Sequence, residues 1–80
     1  MDAEDVVRKR QAEYGPPQVN FSRIAALWTV ALGMPISVCQ VAQCMRLVKE
    51  ARLIHSSDHA DSILDIMGYA RCQQMLLETR

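Results

Sequence analysis

Eighty residues carry nine Lys plus Arg against nine Asp plus Glu, so the chain has no net charge, and half of its residues are hydrophobic. The charge balance excludes the basic excess that drives binding to a DNA or RNA polymer, and the apolar fraction excludes an intrinsically disordered chain. One domain of this size buries only a little over ~60% of its unfolded surface; with five Met residues available for adaptable apolar faces, the expectation is a helical homo-oligomer.

The first helix is predicted over residues 1–13, with acids in its first turn where the positive end of the helix dipole favours them. Tyr14-Gly15-Pro16-Pro17 then reads as a stop, because Gly15 tolerates positive φ and the prolines cannot continue a helix, so residues 14–19 are predicted as a turn. Asn20 is a good N-cap for a second helix over 20–32, with Val19 and Ile24 as the two halves of a hydrophobic staple. Ile24, Leu27, Trp28, Ala31 and Leu32 follow at helical spacing, and Trp28 is expected in the core.

Gly33-Met34-Pro35 closes that helix, and Ser37 with Gln40 forms a capping box for a third helix over 37–54. Val41, Met45, Val48 and Ala51 or Arg52 are expected on its packing face. His55-Ser56-Ser57-Asp58-His59 is a polar connection with Ser57 or Asp58 as cap, and a fourth helix over 58–77 is expected to turn Ile63, Ile66, Met67 and Ala70 inward. No segment reads as a strand. The predicted fold is therefore one all-α domain over 1–80, a small bundle of about four helices whose last two form an antiparallel hairpin, completed by oligomerisation.

The longest uncharged stretch, Ile24 to Gln43, is broken by Gly33 and Pro35, so it reads as two helices and not a membrane span. The N-terminus lacks the apolar core of a signal peptide, and a cytoplasmic protein is expected. Cys39, Cys44 and Cys72 are odd in number and lack CxxC spacing, which fits small buried thiols.

Two charge clusters carry the chemistry. Lys49 and Arg52 lie one helical turn apart, and so do Asp61 and Asp65. In a hairpin the two cations can meet the two carboxylates as an ion-pair network, or can grip a phosphate, bidentate from Arg and point-like from Lys. Both can hold at once, with the aspartates orienting the cations. Asp61 and Asp65, with Asp58 or Glu50, could instead hold Mg²⁺ and through it a nucleotide's phosphates. Tyr14, Phe21 and Trp28 could stack on a base, although Phe21 and Trp28 also have core spacing; Arg10, Asn20 and Arg23 could reach phosphate or base edges. His55 and His59, four apart, have a metal-ligand spacing only if their segment is helical.

Arg10-Gln-Ala-Glu-Tyr14-Gly15, Asn20-Phe21, Ile24-Ala-Ala-Leu-Trp28, Lys49-Glu-Ala-Arg52 and Asp61 to Tyr69 together resemble a family of small phage and prophage proteins carried as a domain of unknown function. The resemblance covers residues 8 to 70, with Gln at position 40 where the family usually has an acid. Asp61-Ser-Ile-Leu-Asp65-Ile-Met-Gly-Tyr69 is also faintly similar to the metal-binding helix of MazG-like all-α nucleoside triphosphate pyrophosphohydrolases. Those enzymes gather two acids three apart, and three more on the preceding helix, around Mg²⁺. Here the acids are four apart, and the preceding helix offers Lys49, Glu50 and Arg52.

Cations in place of acids repel Mg²⁺ and attract phosphate. The expected function is thus binding and sequestration of a phosphorylated, even cyclic, nucleotide by Lys49, Arg52, Arg10, Tyr14, Asn20, Asp61, Asp65 and Tyr69, without a metal or other cofactor. In a phage protein within a bacterial host this would act as a counter-defence sponge for nucleotide signals. The alternatives are a divergent Mg²⁺-dependent pyrophosphohydrolase using Glu50, Asp61 and Asp65, and an inhibitor that binds a host protein.

Overall fold

In the computed structural model, which describes residues 2–78, the chain forms four helices in sequence: α1 (Ala3–Tyr14), α2 (Pro17–Leu32), α3 (Val38–His55) and α4 (Ala60–Glu78). The all-α reading holds. Each start has a local chemical cause. Asp2 caps α1 by accepting from the Asp5 N–H while the Asp5 carboxylate accepts from the Asp2 N–H, and Ser37 and Gln40 make the same reciprocal pair at α3. These exchanges satisfy amide groups that no helical carbonyl can reach.

The prolines act differently from the sequence-based expectation. Pro16 is extended at the cap position and Pro17 is the first helical residue, since its fixed φ suits a first turn and its missing N–H would be an orphan there. The segment from 17 to 19 is therefore helix, and Asn20 lies within α2 instead of capping it. Gly15 and Gly33, at φ 88° and 70°, close α1 and α2 with a conformation other residues adopt at a cost. The Ile36 N–H then donates to Thr29 Oγ1 at 3.0 Å, fastening the α2–α3 connection back onto α2.

Helix α4 packs against all three others, most extensively α3 and then α1. Helix α1 runs antiparallel along it, Glu4 beside Arg71, Val6 beside Gly68 and Arg10 beside Asp65. Val7, Phe21, Ala25, Val41, Ala42, Tyr69, Cys72 and Leu76 form the buried core, with Ile24, Trp28, Met45 and Met75 packed partly against it.

Several helix faces depart from the hydropathy pattern. In α4 the buried residues are Ser62, Gly68, Tyr69, Cys72 and Leu76, whereas Ile63 and Met67 are exposed. Leu27, Leu32 and Val48 are exposed too, and Trp28 is only half-buried. The α4 stripe runs Ser62, Asp65, Tyr69, Cys72, Leu76 at alternating steps of three and four, a valid helix face whose members are mostly polar or small. It wins because Gly68 lets α1 approach closely: a Cβ there would stand 2.9 Å from Val6 Cγ1.

Candidate functional site

Arg10 on α1, Lys49 on α3 and Asp65 on α4 converge. Asp65 Oδ1 accepts from Arg10 Nη2 at 3.2 Å and Oδ2 lies 3.0 Å from Lys49 Nζ. All three side chains are half-buried or better, with 24%, 12% and 25% of the Arg10, Lys49 and Asp65 side chains exposed. One turn beyond Asp65, the buried Tyr69 presents its ring to the Arg10 guanidinium, whose carbon stands 4.1 Å from the ring centroid. Such a partly desolvated cation–π contact contributes about 1–2 kcal/mol. Phe21 lies against the same tyrosine, ring centroids 6.2 Å apart.

Burial alone would lower the Arg10 pKa, but Tyr69 and Asp65 outweigh it and hold the guanidinium above its ordinary value. Two cations share one carboxylate, so this half-buried network keeps one positive charge that it does not neutralise itself. That charge borders a cavity of about 700 Å³ between α1, α2 and α4, lined by Arg10, Tyr14, Asn20, Asp61, Asp65 and Tyr69 among others. Lys9, Glu13 and the exposed Asp61 stand around it as well, so three cations and three carboxylates meet there and the cavity as a whole is balanced in charge, with Arg10 as its half-buried cation. Cys72 also lines it, but burial pushes its thiol pKa up, which keeps it protonated and poorly nucleophilic.

Seven of the eight residues expected from sequence thus fall in or directly behind one cavity: Arg10, Tyr14, Asn20, Asp61, Asp65 and Tyr69 line it, and Lys49 holds Asp65 from α3. Arg52 is the exception. It is exposed and lines a separate groove of about 400 Å³ with Ala51, His55, Ser56 and His59. Among the described residues no ion pair joins Arg52 to Asp61 or Asp65: Asp65 takes Lys49 and Arg10 of α1, and Arg52 and Asp61 are both exposed.

Glu50 is exposed, and among the described residues no three His, Cys, Asp or Glu side chains gather as metal ligands; Glu50, Asp61 and Asp65 are not assembled into a Mg²⁺ site. His59 is at the start of α4, where Nδ1 accepts from the Ser62 N–H at 3.3 Å and lies 2.6 Å from Ser62 Oγ. The contributions of Lys9, Glu13 and Cys72 were not evident from spacing. Lys9 and Glu13, one turn apart on α1, resemble an ordinary surface pair, and only the α1–α4 approach turns them toward a cavity.

Residues 1–77 match the family described as Domain of unknown function (DUF6378). Over 70 residues, covering 88% of the chain, the sequence is 40% identical to the Gene 55 protein of Mycobacterium phage D29, of which the match covers 46%. The Gene 55 protein of Mycobacterium phage L5 is 37% identical over 70 residues, covering 85% of the chain and 45% of that protein. The chain therefore spans about half the length of these relatives. No solved structure matches it, and no helix among the described residues is long and apolar enough to cross a membrane.

Proposed function

The chain belongs to the DUF6378 family, with phage proteins among its relatives, and we propose that the cavity between α1, α2 and α4 binds a phosphorylated nucleotide and sequesters it without hydrolysis. The observation that carries this reading is Arg10 itself, a half-buried guanidinium on the cavity wall, held between Asp65 and the Tyr69 ring with Lys49 behind it. A charge in that setting is stabilised by an incoming anion far more than it would be in water. Arg10 offers further N–H donors beyond the one on Asp65 and is pre-oriented by Tyr69 and Asp65, so a phosphate meets a fixed fork. Tyr14, 55% exposed at the mouth, supplies an aromatic face for a base, and Asn20 can pair with base edges. Lys49 acts from behind, fixing Asp65 and adding charge. In a phage setting, tight binding without turnover would remove a nucleotide signal of the host, which is the sponge role.

Titration calorimetry in Mg²⁺-free buffer against nucleoside mono- and triphosphates and cyclic dinucleotides tests the reading. Arg10→Ala should weaken binding by about tenfold to a hundredfold, the cost of a charge-assisted contact of roughly 1.5–3 kcal/mol, while Arg52→Ala, in the other groove, should leave it unchanged. Asp65→Asn should tighten binding, because it removes the negative charge shared by the two cations; circular dichroism establishes that the helices persist. If no nucleotide binds, or if binding and cleavage both require Mg²⁺ and vanish in Asp65→Asn, the sequestering role is wrong, the second result pointing to the pyrophosphohydrolase alternative.

A further inference from the structure

Helix α3 has two opposed faces. Val38, Ala42, Met45 and Lys49 turn toward the bundle, while the opposite side carries Cys44, Leu47, Val48, Ala51 and Ile54. All five are exposed, Leu47 64% and Ile54 88%. Cys44, Leu47, Ala51 and Ile54 are spaced three, four and three apart, the a and d positions of a two-stranded coiled coil. The whole chain exposes 5306 Å², against about 4,900 Å² expected for a compact monomer of 9.0 kDa from the scaling of surface with mass.

We infer that this face of α3 is an isologous interface, on which a second copy of the chain docks with its own α3 parallel to the first. The flanking polar side chains select the orientation. With Cys44 and Ala51 at a, Glu50 falls at g and His55 at the following e, so a parallel pair sets Glu50 of each copy beside His55 of the other, twice by symmetry. An antiparallel pair would bring the two Glu50 carboxylates toward each other near the axis. The parallel arrangement also stacks Cys44 on Cys44, within reach of a disulfide, whereas the antiparallel one sets Cys44 against Ile54. Lys49 points away from this seam to Asp65, so the interface and the nucleotide cavity are independent.

Sedimentation equilibrium of the wild-type chain, together with mild oxidation followed by non-reducing electrophoresis, tests this. The expected mass is that of two chains, halved in a Leu47→Asp, Ile54→Asp double variant that keeps its helical circular dichroism; both substitutions lie on the exposed face and leave the core untouched. Oxidation should give a covalent dimer that disappears in Cys44→Ser. A monomer at millimolar concentration, or a dimer indifferent to the double variant, would overturn the interface. A dimer that never cross-links through Cys44 would overturn its parallel arrangement.

Discussion

Gly68 shows how one missing side chain sets the position of a helix. Alanine is favoured over glycine within a helix by about 1 kcal/mol, so a surface Gly68→Ala change would stabilise the protein. Here the added Cβ would meet Val6 Cγ1 at 2.9 Å, and Val6 is buried and β-branched, with few rotamers to retreat into. Overpacking costs about 1–3 kcal/mol, so we expect Gly68→Ala to destabilise the fold by about 1–2 kcal/mol in urea denaturation. Adding Val6→Ala should make the double variant less unstable than the sum of the singles. A stabilised Gly68→Ala would show that α1 can move away at no cost. Asp65 is the other residue on which much depends, since it holds cations from two other helices.

Helix starts are where single side chains govern whole elements. At α4 the cap is His59, whose Nδ1 accepts from the Ser62 N–H while Ser62 Oγ, almost fully buried, lies 2.6 Å from the same nitrogen. An imidazole thus stands where Ser57 or Asp58 was expected from the usual preferences. His59→Ala should lower stability by about 1 kcal/mol, read as a lower melting temperature, and should leave Ser62 without its partner. His59→Asn, which restores an acceptor at the cap, should recover most of that loss. Equal melting temperatures for His59→Ala and the wild type would mean that water serves the Ser62 groups as well as the imidazole does. The start of α2 has no side-chain cap; there the ring of Pro17 does the work by conformation alone.

At the scale of the molecule, a chain of 80 residues with so much apolar surface outside its core should gain stability by association. Because a partner that binds only the folded state raises apparent stability by mass action, we expect the melting temperature of the wild-type chain to rise with protein concentration and that of the Leu47→Asp, Ile54→Asp variant to stay constant. The helical class, the Gly33 stop and the Ser37–Gln40 cap were legible in the sequence, because helix propensity, caps and glycine closures act within a few residues. Six of the residues singled out in the sequence do line the cavity, but its Lys9, Glu13 and Cys72 were missed and Arg52 faces elsewhere, because which polar side chains share a cavity depends on how the helices are turned. The rotation of each helix about its axis was not legible. In a chain that is half hydrophobic, most helices carry two apolar faces, and hydropathy does not say which of them is buried. For α4 the more hydrophobic face, with Ile63 and Met67, lost to one of Ser62, Asp65, Tyr69 and Cys72. That choice rests on contacts between distant parts of the chain, the approach of Val6 to Gly68 and the sharing of Asp65 between Arg10 and Lys49. The sequence by itself determined which segments are helices, through forces local to each. Only the tertiary structure decided which faces meet, and therefore where the cavity and its half-buried Arg10 lie, because packing and charge pairing are settled between helices and not within them.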